Sequence, residues 1–213
     1  MTKSDTVFRL LNPGVIAVIR ADSSTQLLDV ARALVAGGVT AMEVTMTTPN
    51  ALQVVADVRR ELADSCLMGV GSVLDAETCR AALLGGAQFV VTPVTKPDVI
   101  TVCNRYSVPI VCGAYSPTEA LLAHESGADF VKIFPADALG AAYCKAILAP
   151  MPQLRLIPTG GVDLETAGDF IRAGCVAVAA GGSLVSKTVL ASGDFAVLTR
   201  TAALFVEAVR MAR

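Results

Sequence analysis

The stretch Phe130-Val131-Lys132-Ile133-Phe134 consists of aromatic and β-branched residues around a single charge. Residues of these types favour a β-strand, and a helical pattern of roughly 10 to 15 residues follows the stretch. The same succession of a short apolar run and a helical pattern recurs along the chain, which predicts eight strands. Their predicted bounds are 15–19, 41–45, 67–70, 89–92, 109–112, 130–134, 155–158 and 176–179.

The regular alternation of strands with helices indicates the fold class. Strands that are joined through helices pair in parallel, and eight such units predict an α/β fold closed into a single (β/α)8 barrel, or TIM barrel. We expect one domain that spans residues 1–213, with an additional helix at residues 1–11 and another at residues 195–211. An open, doubly wound parallel sheet is the alternative.

The composition narrows the class of function. Hydrophobic residues make up 54% of the chain, charged residues make up 17%, and the formal net charge is −2. This balance provides no broad basic surface, so we expect a small-molecule substrate as partner, with no nucleic acid and no membrane. The N-terminus lacks the apolar core of a signal peptide, and no apolar run is long enough to span a bilayer. These features predict a cytoplasmic protein.

The cysteines and the single histidine limit the chemistry further. The six cysteines are spread singly along the chain without a C-x-x-C pair, so we expect small buried hydrophobes rather than a disulfide or zinc framework. His124 falls in a helical pattern and is expected at the helix surface. Metal-dependent lyases and Ser-His or Cys-His enzymes need histidines beside other ligands or a nucleophile. We therefore expect neither a metal nor a cofactor.

Two charges, Glu43 and Lys132, lie inside predicted strands. Side chains alternate along a strand, so the apolar Met42 and Val44 are expected to pack against the helices while Glu43 points into the barrel. The same alternation groups Lys132 with Phe134. Neither charge can stay unpaired in an apolar interior without a large desolvation cost.

This cost has a chemical interpretation. An apolar interior disfavours the ammonium form of lysine, and the neutral amine of Lys132 can attack a carbonyl to form a Schiff base. Glu43 could then protonate the departing oxygen, accept the proton whose loss breaks a C–C bond, and return a proton to the enamine carbon. A structural ion pair in the lumen is the alternative interpretation of these two residues.

Glycine-rich turns follow the predicted strands 7 and 8, where barrels commonly bind phosphate. Exposed backbone N–H groups in such turns suit a dianion, although each turn alone is also compatible with a simple tight turn. The candidate residues are Thr159, Gly160, Gly161, Gly182 and Ser183.

Other strand ends offer further candidates for ligand contact. Thr92 and Pro93 end strand 4, and Ser72 follows strand 3, which places small hydroxyl groups and close backbone at the same face of the barrel. Arg20 ends strand 1 and could hold a carboxylate, or it could be an ordinary surface arginine.

Six segments together resemble the 2-keto-3-deoxy-6-phosphogluconate (KDPG) / 4-hydroxy-2-oxoglutarate (KHG) aldolases, in order from about residue 15 to residue 185. They are residues 43–45 (EVT), 69–74 (GVGSVL), 86–89 (GAQF), 116–119 (SPTE), 132–136 (KIFPA) and 158–161 (PTGG). The resemblance implies a (β/α)8 barrel, a homotrimer and a metal-independent class I aldolase, an aldehyde-lyase. KDPG would yield pyruvate and glyceraldehyde 3-phosphate, and KHG would yield pyruvate and glyoxylate.

The resemblance also implies roles for single residues. Lys132 matches the imine-forming lysine and Glu43 the proton-transferring glutamate, while Ser72 falls at the usual threonine of the pyruvate site. Phe134 is expected beside the substrate. The glycine turns after strands 7 and 8 fall at the phosphate site.

The chain departs from the family pattern at the rim of the pocket. The family usually has the sequence E-V-T-L-R-T here, in which the arginine helps to bind the pyruvyl carboxylate. In this chain Thr47 occupies the place of that arginine. Arg20 and Lys96 are the candidates to replace its charge. The usual S-P-G after strand 4 is Thr92-Pro93-Val94 here, so the exact substrate is not determined by the resemblance.

Two other functions are compatible with the same residues. One is a phosphate-binding isomerase or lyase barrel in which Glu43 is a general base and Lys132 an electrostatic clamp. The other is a non-catalytic barrel that binds a sugar acid or phosphate, which the threonine at position 47 suggests.

Overall fold

All eight predicted strands are present in the computed structural model, which describes residues 1–213. The strands are β1 (Val15–Ile19), β2 (Ala41–Thr45), β3 (Leu67–Gly71), β4 (Phe89–Val91), β5 (Ile110–Ala114), β6 (Phe130–Ile133), β7 (Leu156–Pro158) and β8 (Val178–Ala180). The helices are α1 (Lys3–Leu11), α2 (Leu27–Ala36), α3 (Ala51–Leu62), α4 (Ala76–Leu84), α5 (Pro97–Arg105), α6 (Pro117–Glu125), α7 (Gly140–Leu148), α8 (Ala167–Arg172), α9 (Lys187–Ser192) and α10 (Phe195–Ala212), with a 3-10 turn at Ala63–Ser65.

The strands form a ring. Each strand from β1 to β7 pairs in parallel with its neighbours in sequence, and β8 pairs with β1. Between β7 and β8 the ring closes through a parallel bridge from Thr159 to Ala179 and a 3.0 Å hydrogen bond from the Val176 N–H to the Leu156 carbonyl. The prediction of a (β/α)8 barrel with an added N-terminal helix is confirmed, and the open doubly wound sheet is wrong.

Strand β4 ends one residue earlier than predicted, at Val91. The hydroxyl of Thr92 accepts a hydrogen bond from the Gly113 N–H at 3.0 Å and donates one to the Val94 carbonyl at 2.8 Å. A side chain therefore joins β4 to β5 where the regular backbone hydrogen bonds end. Hydrophobic patterning does not reveal a hydrogen bond of this kind.

The core divides into two apolar clusters because side chains alternate along each strand. The outer cluster lies between strands and helices and contains Met42, Val44 and Val131, as the alternation predicts. The inner cluster fills the barrel, and its members include Ile16, Ala41, Leu67, Phe89, Val91, Val111, Phe130, Ile157, Ala177 and Ala179. Side chains thus fill the amino-terminal part of the barrel interior. The carboxyl ends of the strands remain available for a ligand site.

Helix α1 closes the amino-terminal end of the barrel. Its Leu10 is fully buried in the inner cluster, and a capping box between Thr2 and Asp5 fixes the start of the helix. Lys3 on the same helix forms a 3.0 Å ion pair with Asp129, immediately before β6. The helix therefore excludes water from the end of the lumen opposite the candidate site.

All six cysteines are buried thiols, as predicted. None of the helices has the combination of length and hydropathy that is needed to cross a membrane.

Candidate active site

Glu43 and Lys132 belong to the same layer of the barrel interior. Alternate strands contribute the side chains of one layer, which advances by about one residue for each strand around the ring. Following the strand registers in this way places Glu43 of β2, Val91 of β4, Lys132 of β6 and Ala179 of β8 together. Strands β2 and β6 lie opposite each other in the ring, so the two charged side chains meet across the lumen between two smaller apolar ones.

The contact between the two charges is loose. Lys132 Nζ lies 3.9 Å from Glu43 Oε1, and the side chains are only 8% and 2% exposed. Glu43 Oε2 is buried and has no hydrogen-bond partner. Buried polar atoms in native proteins almost always have a partner, so an unsatisfied carboxylate oxygen beside a buried lysine is typical of a site that completes its hydrogen bonds with a ligand.

Burial controls the protonation of Glu43. Desolvation raises the pKa of its carboxyl group, and the positive charges of Lys132 and Arg20 oppose this rise without reversing it. The neutral acid is therefore favoured more than in a glutamate exposed to water. A glutamate with a raised pKa can donate a proton as the acid and accept one as the carboxylate.

Strand β3 makes room for the Glu43 carboxylate. A Cβ atom on Gly71 would lie 2.5 Å from Glu43 Oε2, and one on Gly69 would lie 2.5 Å from the Phe89 ring. Both contacts are too short for real atoms. The next residue, Ser72, has φ 59°, which is strained for a non-glycine residue. The glycines of β3 thus leave space for an acid inside the barrel.

Phe134 connects the buried lysine to a cavity at the mouth of the barrel. Lys132 Nζ lies 4.8 Å from the centre of the Phe134 ring. Phe134 also lines a cavity of about 460 Å³, together with the turns after β7 and β8. Of the residues singled out in the sequence, the cavity gathers Arg20, Phe134, Thr159, Gly160, Gly161, Gly182 and Ser183.

The two glycine turns that line this cavity present free donors. The backbone N–H groups of Gly160, Gly161, Gly182 and Ser183 donate to no acceptor in the protein. The Ser183 hydroxyl donates to the Val162 carbonyl at 2.6 Å, which ties the turn after β8 to the turn after β7. Converging N–H groups without internal partners are typical of an anion site.

The remaining sequence candidates do not line this cavity. Thr47 is exposed and its hydroxyl lies 2.8 Å from that of Thr45, so it occupies the end of β2 without bringing a charge. The Thr92 hydroxyl is engaged by Gly113 and Val94, and Lys96 forms an ion pair with Asp98 at 3.3 Å. Of the two cations considered as replacements for the family arginine, only Arg20 lies at the cavity.

Lys187 is a cavity residue that was not singled out in the sequence. It is the first residue of α9 and lines the cavity beside Arg20. The sequence signal for Lys187 was its position four residues after Ser183, in the turn that follows β8. A short loop after that strand stays near the phosphate site of a barrel. Asp163 and Val162 also line the cavity and were not predicted.

The arrangement combines a buried amine, an acid with a raised pKa, and a cavity with free N–H donors and two cations. The sequence matches the family described as KDPG and KHG aldolase over residues 7–201. The chain belongs to this family. The 2-dehydro-3-deoxy-phosphogluconate aldolase of Treponema pallidum is 38% identical over 91% of this chain and 93% of its own. KDPG/KHG aldolases are aldehyde-lyases, so the chain is a carbon–carbon lyase.

Two further relatives illustrate the range of the KDPG and KHG aldolase family. The 2-dehydro-3-deoxy-6-phosphogalactonate aldolase of Escherichia coli is 33% identical over 93% of this chain and 95% of its own. The crystal structure of KDPG aldolase from Legionella pneumophila, with pyruvate captured as a covalent carbinolamine, superposes with a TM-score of 0.77 at 25% identity and covers 93% of each chain. Members of similar identity to this chain thus act on sugar acids that differ in stereochemistry.

Proposed function

We propose that this chain is a metal-independent class I aldolase that cleaves a 2-keto-3-deoxy-6-phospho sugar acid into pyruvate and an aldehyde. The buried pair of Lys132 and Glu43, 3.9 Å apart in a layer of otherwise apolar side chains, is the observation that carries the proposal. KDPG is the first substrate to test, with glyceraldehyde 3-phosphate as the aldehyde. KHG, which would give glyoxylate, is the second. The whole chain, residues 1–213, acts as one aldolase domain.

Lys132 is the nucleophile of the proposed reaction. Its neutral amine adds to the 2-keto carbon to give a carbinolamine, and the hydroxyl group leaves as water after Glu43 donates a proton to it. The product is a protonated imine. This cation accepts the electron pair of the C3–C4 bond as that bond breaks, so the lysine supplies the electron sink of the reaction.

Glu43 moves each proton. As a carboxylate it accepts the proton of the C4 hydroxyl, which becomes the carbonyl of the departing aldehyde while the electron pair forms the enamine. It then returns the proton to C3 of the enamine, and hydrolysis of the imine releases pyruvate. The raised pKa of Glu43 suits this double use, because the acid form then persists to higher pH than in an exposed glutamate.

The substrate is held at both ends. The free N–H groups of Gly160, Gly161, Gly182 and Ser183 suit the phosphate, and Thr159, whose buried hydroxyl has no partner, lies beside them. Arg20 is the cation for the pyruvyl carboxylate, because it lines the cavity whereas Lys96 is paired with Asp98. Ser72, Thr92 and Pro93 shape the pyruvate end, with Phe134 over the lysine. Thr47 contributes a hydroxyl group at the rim.

A lactate-dehydrogenase-coupled assay tests the proposed function. Phosphorylated and unphosphorylated 2-keto acids of both C4 configurations are offered in parallel, and pyruvate release is followed with wild type and Lys132→Arg. We expect release with a phosphorylated substrate and none with Lys132→Arg, because a guanidinium forms no imine. Residual turnover in Lys132→Arg would favour the isomerase or lyase in which the lysine is only a clamp. Absence of pyruvate with every substrate would refute the aldolase.

We further propose that the protein is a homotrimer and that each subunit acts on a small-molecule substrate. Support comes from three exposed apolar side chains on the loops after β3, β4 and β5, namely Leu74, Val94 and Tyr115, which are 54%, 50% and 46% exposed. Light scattering after gel filtration tests the assembly. A mass of one subunit would contradict it.

A further inference from the structure

Lys187 carries a charge that nothing within the chain neutralises. The 17 lysines and arginines are mostly engaged in ion pairs, hydrogen bonds or contacts with aromatic rings. The exceptions are Arg20, Arg105, Lys145, Lys187 and Arg200. Two of these unpartnered cations, Arg20 and Lys187, line the cavity of the glycine turns, and they also line an adjoining cavity of about 220 Å³.

The acidic groups nearby leave this positive charge unpaired. Asp163 lines the same cavity, but its Oδ1 accepts hydrogen bonds from the Thr166 N–H at 2.8 Å, the Thr166 hydroxyl at 2.9 Å and the Glu165 N–H at 3.0 Å. Asp22 lines only the adjoining cavity. Neither forms an ion pair with Lys187. The cavity therefore holds more positive than negative charge.

Backbone N–H groups alone do not compensate a dianion. They donate hydrogen bonds but carry no net charge, and a phosphate that leaves bulk water for a half-enclosed cavity loses part of its hydration. A nearby ammonium group offsets this loss through Coulomb attraction, which is stronger there than in open water. A cation at that end thus strengthens the selection of a phosphate over a neutral hydroxyl group.

The two cations reach the cavity from different elements of the barrel. Arg20 directly follows β1, whereas Lys187 begins α9. Lys187 comes four residues after Ser183, whose backbone N–H is one of the free donors of the turn after β8. Lys187 is therefore the unpartnered cation that continues from the glycine turn after β8.

We propose that Lys187 is a specificity-determining residue, which binds the phosphate group on the aldehyde half of the substrate and selects phosphorylated over unphosphorylated 2-keto-3-deoxy acids. This inference rests on the aldolase function proposed above. Lys187 contacts the substrate far from the bond that breaks, so it acts mainly on binding. The predicted signature is a change in KM for the phosphorylated substrate with little change in kcat.

The test compares Lys187→Ala and Lys187→Arg with the matched control Lys145→Ala, which removes an exposed, unpartnered lysine from α7 away from the cavity. The kcat/KM values for KDPG and for unphosphorylated 2-keto-3-deoxygluconate are measured for each. We expect the phosphorylated-to-unphosphorylated ratio to fall about fivefold to tenfold in Lys187→Ala, to recover in Lys187→Arg, and to stay at the wild-type value in Lys145→Ala.

One result would overturn the inference. It is a phosphorylated-to-unphosphorylated ratio in Lys187→Ala within about twofold of that in Lys145→Ala, whether both substrates keep their kcat/KM values or lose them equally. Borohydride trapping of pyruvate on Lys132 in each variant separates this failure from failure of the aldolase proposal. Intact trapping with an unchanged ratio removes only the role of Lys187, whereas absence of trapping in wild type removes the aldolase and this role with it.

Discussion

A methyl group on Gly71, in the neighbouring strand β3, would lie 2.5 Å from Glu43 Oε2. The acid in the barrel therefore depends on a glycine two residues beyond its own register partner, Gly69. The absence of a side chain on Gly71 gives the carboxylate its position opposite Lys132.

Gly71→Ala is predicted to displace the Glu43 carboxylate and to lower kcat by about 100-fold, the scale of a misplaced general acid–base. Gly69→Ala is the matched control, because it adds the same methyl group to the same strand but against the Phe89 ring. We expect Gly69→Ala to lower Tm with a much smaller loss of kcat. Steady-state kinetics and thermal unfolding of both variants check this, and equal kcat values would contradict it.

Arg20→Ala is predicted to raise KM about 10- to 100-fold, the loss expected for one charge-assisted hydrogen bond to a carboxylate. Thr47→Arg in the same background is predicted to recover part of this loss, since it restores a guanidinium at the position where the family usually has one. Arg105→Ala, on the outer helix α5, is the control and should match wild type. An unchanged KM in Arg20→Ala would show that the carboxylate is held elsewhere.

Stability should fall with rising pH because of Glu43. Its pKa is raised in the folded protein by burial, so the folded state binds more protons than the unfolded state between the two pKa values. The contribution of Glu43 is therefore present below about pH 4.3, the usual value for an unfolded glutamate, and is lost as pH rises through the higher folded value. Glu43→Gln removes this dependence.

We expect the unfolding free energy of Glu43→Gln relative to wild type to increase with pH, by at most about 1.4 kcal/mol for each pH unit in that window. Urea denaturation at several pH values measures it. Glu125→Gln, at the end of the outer helix α6, serves as the control for removal of an exposed carboxylate. A difference that is flat in pH, or that declines, would mean that Glu43 is ionised throughout.

The fold and the inward direction of Glu43 and Lys132 were predictable from the sequence, because alternation with period two and the strand–helix rhythm are local properties. The end of β4 was not, since it depends on a hydroxyl group of Thr92 that bonds across to β5. The same holds for the space that Gly71 leaves. Which side chain lies opposite a glycine is decided by strand register, which no local pattern contains.

The phosphate end of the site was predicted only in part. The glycine turns are visible as short motifs, and Arg20 stands at a strand end. Lys187 instead begins a helix, and its place beside Arg20 results from the closure of β8 onto β1, which joins residues that are far apart in sequence. Lys96, in contrast, is held by a local ion pair with Asp98, two residues further along the chain.

Reduction of the protein with borohydride in the presence of pyruvate, followed by peptide mass spectrometry, tests directly whether Lys132 forms the imine. We expect a reduced pyruvyl group on Lys132 and on no other lysine, and no label in Lys132→Arg. An unmodified Lys132 under saturating pyruvate, in protein that still releases pyruvate from KDPG, would contradict this expectation.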